Sequence, residues 1–111
     1  MEETNPMEIV IMQLIVNAGA AKNHAYAALA KANEGNYIGA EEEMQNAENA
    51  IAVAHESQTS LLTKEASGEK VEISMLFVHA QDHLMTALTE KNLIEQIIEL
   101  RKVVNKLISA K

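Results

Sequence analysis

The chain has no cysteine and no tryptophan, and it contains only one proline, four glycines, one phenylalanine and two tyrosines. Without cysteine, it cannot form disulfide bonds, zinc–thiolate sites, iron–sulfur clusters or a cysteine nucleophile. The shortage of aromatic, glycine and proline residues disfavours a β-fold, which needs branched and aromatic strand residues and many turns. A length of 111 residues predicts a single domain, residues 1–111, with one modest core.

Basic residues are also few, since nine lysines and arginines face sixteen acidic residues and give a formal net charge of -7. Such a surface repels phosphate backbones, which argues against nucleic-acid binding. No apolar run reaches the roughly 18 residues that a membrane helix needs. The acidic start MEETNPMEIV also lacks the basic region of a signal peptide. We therefore expect a cytoplasmic protein without direct membrane insertion.

The chain is rich in residues that favour helices, including seventeen alanines and six methionines. This composition predicts an all-α protein, an antiparallel bundle of three helices joined by short connections. Asn5 can cap the first helix, and Pro6 suits its first helical position. Gly35 is a plausible stop for this helix, because glycine readily adopts the left-handed conformation found after helix ends.

The second helix is predicted to start near Tyr37, with Asn36 as its cap. Its acidic residues 41–43 are expected to interact favourably with the positive end of the helix dipole. The second break falls at residues 65–69, and the third helix is predicted over about Val71 to Ser109.

Apolar residues recur at helical spacing along all three predicted helices. Those of the third helix occupy more than one stripe, which a single bundle core does not need. We expect the helices to pack against other copies of the chain; the alternative is that the extra residues are ordinary exposed apolar side chains. The predicted apolar positions are Ile11, Leu14, Ile15, Ala18, Ala21, Ala25, Ala28, Leu29 and Ala32, then Ala40, Met44, Ala47, Ile51, Ala54 and Leu61, then Met75, Val78, Met85, Leu93, Ile94, Ile97, Ile98, Leu100, Val104, Leu107 and Ile108.

The residues best suited to chemistry lie close together on the third helix, in the stretch Leu76–Met85. His79 and His83 are four residues apart, so on a helix they lie about 40° apart on one face. Asp82 instead continues the apolar line of Val78 and Met85. An unpaired carboxylate on an apolar stripe is costly, so it calls for a partner, a metal or a proton.

Three interpretations of His79, Asp82 and His83 stay open on the residues alone. The pattern is similar to an inverted metallopeptidase motif, but aspartate replaces glutamate and no third ligand is evident. A structural polar patch at a subunit contact is the plainest interpretation. In the third, one histidine is a nucleophile that carries a phosphoryl group, and its neighbour donates a hydrogen bond to the phosphoryl oxygens. His24 and His55 have no neighbouring ligand set and are interpreted as ordinary helix or contact residues.

The sequence Val78-His79-Ala80-Gln81-Asp82-His83-Leu84-Met85 resembles the motif of the lactose/cellobiose-specific IIA components of the bacterial phosphotransferase system. The resemblance extends to 15–19, 25–29 and 54–59 and spans essentially the whole chain. It implies a three-helix protein that trimerises into a nine-helix bundle. It also implies a phosphoryl carrier that accepts the group from the carrier HPr and passes it to a cysteine of the cognate IIB, during uptake of a disaccharide such as cellobiose, chitobiose or lactose.

The resemblance also assigns roles to individual residues. His79 occupies the position of the family's phosphorylated histidine, and His83 that of a neighbour able to steady the phosphoryl group. Asp82 corresponds to a carboxylate that binds Mg²⁺ or another divalent cation at the trimer axis; no organic cofactor is implied. A non-catalytic helical oligomer, serving as an interaction module on the same scaffold, remains the alternative function. The transported sugar is not readable from this chain.

Overall fold

A computed structural model describes residues 6–110 of the protein. Its three helices are α1 (Pro6–Asn33), α2 (Tyr37–Ala66) and α3 (Met75–Ser109), and they form an elongated bundle of 65 × 29 × 19 Å. The all-α prediction is therefore confirmed. Pro6 is the first residue of α1 as expected, while the predicted cap Asn5 lies outside the described residues.

Both predicted breaks are confirmed, and each contains a glycine in the left-handed region. Gly35 has φ +83° between α1 and α2, and Gly68 has φ +96° after α2. Asn36 caps α2 as predicted, because its side-chain oxygen accepts a 2.9 Å hydrogen bond from the amide of Gly39. The acidic residues 41–43 begin only in the second turn, so the expected interaction with the helix dipole does not explain them.

The predicted start of α3 at Val71 is wrong, since the helix begins four residues later at Met75. Ser74 is extended, with φ −102° and ψ 166°, and its hydroxyl accepts a 3.1 Å hydrogen bond from the amide of Phe77. This serine cap satisfies one of the free amides of the first turn and fixes the helix start. Val71 is still buried, but it packs from the connecting segment rather than from a helix.

Helix α1 forms the centre of the bundle, because it packs along both α2 and α3 while those two hardly touch each other. Its buried face consists mainly of alanine, which allows close helix approach. On α1 and α2 most of the predicted apolar positions are buried, although Ile15, Leu29 and Ile51 are only half-buried. On α3 only Ile94 and Ile98 of the predicted apolar positions are buried. One core cluster surrounds Leu14, Leu61 and Leu84, and a second, at the opposite end, surrounds Met44, Ile94 and Ile98.

Helix α3 has two apolar faces, and only one is covered within the chain. Its inner face is buried and consists of Ala80, Leu84, Ala87, Ile94 and Ile98. The opposite side, here called the outer stripe, is exposed and consists of Met75, Val78, Met85, Leu93, Ile97, Leu100, Val104 and Leu107. The prediction of more than one apolar stripe is confirmed. None of the three described helices has the length and apolar character needed to cross a membrane.

Candidate functional site

The histidine pair lies near the start of α3, where local sequence fixes the backbone. The Ser74 cap begins the helix one turn before His79. Ala80 and Leu84, which follow the two histidines, are buried against the first core cluster. The core therefore fixes the rotation of α3, and this rotation leaves His79 exposed and His83 half-buried at the seam with α1.

The two imidazoles of the predicted site are brought together. The rings of His79 and His83 are nearly parallel, with an interplanar angle of 8° and centroids 5.9 Å apart. The four-residue spacing on one helix produces this arrangement directly. An exposed imidazole can attack an electrophile and accept a group from it. A second imidazole beside it can then donate a hydrogen bond to the accepted group.

His83 lies in an environment that disfavours its protonated form. Burial lowers the pKa of His83, and the positive charge of Lys22 and the proximity of His79 lower it further, against weaker opposing effects of Asp82 and Glu90. Lys22 of α1 is itself held by Glu90 of α3, with Nζ and Oε2 3.3 Å apart. A pKa below 6.5 keeps this imidazole neutral near pH 7, so one ring nitrogen carries a proton to donate and the other is free to accept.

Asp82 is not part of this histidine pair, because it is exposed on the outer stripe in line with Val78 and Met85. Its main-chain carbonyl accepts a 2.9 Å hydrogen bond from Thr86, while its carboxylate faces away from the core. Among residues 6–110 of one chain, no group of three or more histidine, aspartate or glutamate side chains is placed to hold a metal ion. The third ligand that a metallopeptidase site requires is thus not found in the described part of the chain.

Sequence reasoning missed three residues around the site. Gln81 lies inside the motif, and its side-chain oxygen Oε1 accepts a 2.8 Å hydrogen bond from Nε2 of Gln58 on α2. This bond is one of few links between α2 and α3. Gly19 of α1 lies directly against His83, since a Cβ built on Gly19 would be 3.3 Å from Nε2 of the ring. A glycine in the interior of a helix, where alanine is favoured, was the available signal for such a close approach.

The remaining histidines lie outside the His79–His83 pair. His24 of α1 pairs with Glu43 of α2, with Nδ1 and Oε2 2.8 Å apart. This pair gives Glu43, one of the three acidic residues 41–43, a contact between helices. His55 is exposed on α2.

Fold and site together define a small all-helical protein with an exposed imidazole beside a half-buried one and an uncovered apolar helix face. A family model described as the lactose/cellobiose-specific IIA subunit of the PTS system matches residues 9–102. The chain belongs to this family, and the resemblance seen in the motif is confirmed.

Individual relatives agree with this assignment. The N,N'-diacetylchitobiose-specific EIIA component of Escherichia coli K12 is 41% identical over 100 residues, which cover 90% of this chain and 86% of that protein. The crystal structure of a cellobiose-specific enzyme IIA from Bacillus anthracis superposes with a TM-score of 0.90 at 44% identity, covering 94% of this chain and 95% of the other. The chitobiose IIA of Escherichia coli, solved in solution in complex with HPr, matches with a TM-score of 0.80 at 38% identity, covering 92% of this chain and 99% of the other.

Proposed function

We propose that the protein is a cytoplasmic phosphoryl carrier in which His79 accepts a phosphoryl group from phospho-HPr and passes it to a cysteine of a cognate IIB. The observation that carries this proposal is the exposed His79 imidazole lying parallel to a second, half-buried imidazole. The HPr complex of a relative with the same fold supports HPr as the donor. Because the chain has no cysteine, the next acceptor thiol belongs to another protein.

The chemistry requires two in-line displacements at phosphorus. The lone pair of a neutral ring nitrogen of His79 attacks the phosphorus, and the bond from phosphorus to the donor's imidazole breaks with its electron pair returning to that ring. In the second step a IIB thiolate attacks the phosphorus, and the bond from phosphorus to His79 breaks with its electron pair returning to the His79 ring. Such transfers depend mostly on positioning and charge stabilisation. His83, the neutral neighbour, donates its N–H to the phosphoryl oxygens while the group resides on His79.

The proposed functional unit is a homotrimer. Eight large apolar side chains of the outer stripe are exposed in one chain, which is more than a water-facing helix surface needs. Packing three outer stripes around an axis would bury them and give the nine-helix bundle that the family resemblance implies. The exposed His79 then lies at the edge of this contact, between the α1–α3 seam and the outer stripe.

A divalent cation, most simply Mg²⁺, is proposed at the axis of this trimer. One chain supplies a single carboxylate on the outer stripe, Asp82, so the donor set is complete only when three copies meet. Carboxylate oxygens are the ligands that Mg²⁺ prefers, and the ion would offset the repulsion between three buried charges. When bound, the ion neutralises charge in the assembly, and no step of phosphoryl transfer passes through it.

The transported sugar is proposed to be a disaccharide of the cellobiose, chitobiose or lactose type. This range follows the names of the family and of the relatives. The sugar itself contacts the membrane partner rather than this subunit, so its identity must be measured by transport in cells carrying the matching IIB and membrane components.

The test of the proposed function is a reconstituted phosphorylation assay read by intact mass. The protein is incubated with phosphoenolpyruvate, enzyme I and HPr, alongside His79→Ala and the matched control His55→Ala, which removes an exposed histidine of α2. We expect one acid-labile phosphoryl group per chain in the wild type and the control, and none in His79→Ala. A folded wild type that gains no mass, with HPr active on another acceptor, would favour the non-catalytic interaction module instead.

A further inference from the structure

Gly19 is the point at which the backbone of α1 comes closest to the histidine site. A Cβ at this position would be 3.3 Å from Nε2 of His83, which is tighter than nine in ten contacts of real Cβ atoms. Gly19 lies inside a 28-residue helix, where alanine would be favoured by helix propensity. Gly19 therefore leaves space for the His83 imidazole at a position where alanine would stabilise the helix more than glycine does.

The two helices are held at this distance by contacts beside Gly19 and His83 and further along the helices. Ala18 of α1 and Leu84 of α3, the neighbours of Gly19 and His83, are both buried in the first core cluster. One turn further along, Lys22 and Glu90 join the same two helices through a 3.3 Å ion pair. A methyl group added at Gly19 is therefore relieved by movement of the His83 side chain, since the packed backbones cannot separate without opening this core.

Movement of His83 changes the geometry of the proposed reaction centre. The His83 ring lies parallel to that of His79, with the centroids 5.9 Å apart. A displacement of Nε2 therefore alters the position of the hydrogen-bonding His83 ring relative to the transferred phosphoryl group. We propose that Gly19 is a positioning residue for phosphoryl transfer, which lets the backbone of α1 close on His83 and fix that imidazole beside His79. This inference rests on the proposed function, since it assigns Gly19 a part in that same transfer.

Gly19→Ala separates this role from a general role in folding. Alanine favours the helix, so we expect the variant to unfold at a temperature equal to or above that of the wild type. We expect the single-turnover rate of transfer from phospho-HPr to fall about tenfold with an unchanged KM for HPr, because small misplacements of reacting groups are costly. Asn23→Ala, at an exposed position of the same helix, is the matched control and should keep the wild-type rate.

A double-mutant cycle with His83→Ala identifies the route of the effect. If Gly19 acts through His83, then adding Gly19→Ala to His83→Ala produces no further loss of rate. The ring resonances of His83 in NMR spectra should also shift in Gly19→Ala and stay unchanged in Asn23→Ala.

Three results would overturn the inference. They are a wild-type transfer rate in Gly19→Ala, an equal loss of rate in both backgrounds of the cycle, and unshifted His83 resonances. The same assay distinguishes this failure from that of the proposed function. A wild type that takes up no phosphoryl group overturns both, whereas an active wild type with an equally active Gly19→Ala overturns only the role of Gly19.

Discussion

In an ordinary bundle helix the larger apolar surface faces the core, but the two faces of α3 show the reverse arrangement. The inner face, which the chain covers itself, includes the small residues Ala80 and Ala87. The outer stripe, which the chain leaves uncovered, carries leucine, isoleucine, valine and methionine, with Leu107 66% and Leu100 63% exposed. The larger apolar area thus lies outside the fold of one chain.

This difference separates two tasks within one helix. Small inner residues allow α1 to approach closely and fix the rotation of α3, which places the histidine pair. The outer residues are large enough for each to contribute about 1.5–3 kcal/mol when buried, which is a substantial driving force for association. The position of the site and the contacts of the proposed assembly are therefore assigned to opposite faces of α3.

Charge placed on the outer stripe gives the largest expected effect. The double variant Leu93→Glu and Leu100→Glu would bury six carboxylates in the proposed trimer, so we expect complete dissociation to monomers at micromolar concentration. Sedimentation velocity measures the change. Leu62→Glu, at a position 53% exposed on α2, is the control and should remain assembled. A double variant that sediments like the wild type would show that the outer stripe is not the contact between copies.

Removing one large side chain from each face should separate folding from assembly. Leu84 is 2% exposed, so Leu84→Ala is expected to lower the free energy of unfolding by about 2–5 kcal/mol. Met85, the next residue, is 48% exposed within one chain. Met85→Ala should instead weaken association, with a loss of stability that shrinks as the protein concentration falls, because the dissociated chains no longer make this contact. Urea unfolding at several concentrations makes the comparison, and identical concentration dependence in the two variants would contradict it.

The sequence predicted much of the fold because its local signals agree. Asn36 and Gly35 mark the α1–α2 turn, and the alanine spacing marks the core face of α1. The start of α3 was placed too early, at about Val71, directly after the predicted break at residues 65–69. The hydroxyl of Ser74 decides the boundary, and a capping hydrogen bond leaves no periodic signal.

The candidate site was predictable only where its residues share one helix. His79, Asp82 and His83 lie within five residues, so helical spacing gave their relative directions. The contacts from Gly19 and Lys22 of α1, and from Gln58 of α2, come from residues far away in the chain. Spacing along one helix carries no information on these contacts, because they depend on how the three helices pack.

Replacing Asp82, the single carboxylate of the outer stripe, is the next test of the difference between the two faces of α3. With Asp82→Leu, the outer stripe becomes apolar at this position and no longer needs a cation. We expect EDTA to weaken the wild-type trimer by removing the proposed cation, whereas the variant remains trimeric with and without EDTA. Sedimentation with and without EDTA measures both properties. A variant that keeps the same response to EDTA would falsify the proposed ligand.

The smallest expected effect concerns Lys91, at the edge of the inner face, where α2 and α3 share few contacts. Its ammonium is 3.3 Å from a carboxylate oxygen of Glu48 on α2 and also pairs with Glu95. Burial acts to lower the pKa of Lys91, but hydrogen bonds and charge attraction from the two glutamates outweigh it, so the pKa is raised above 10.5. A raised pKa means that the folded state holds the proton more tightly than the unfolded state, which stabilises the fold at neutral pH.

Lys91→Met should therefore lower the free energy of unfolding by about 1 kcal/mol at pH 7, near the upper end for partly exposed ion pairs. The difference from the wild type should stay constant up to about pH 10.5 and shrink as the pH rises through the raised pKa of the folded state. Urea unfolding at fixed protein concentration across this range measures it, with Lys106→Met, exposed on the same helix, as the control. An equal loss in the control, or a difference that does not shrink as the pH rises above 10.5, would mean that Lys91 does not act through its charge on the two glutamates.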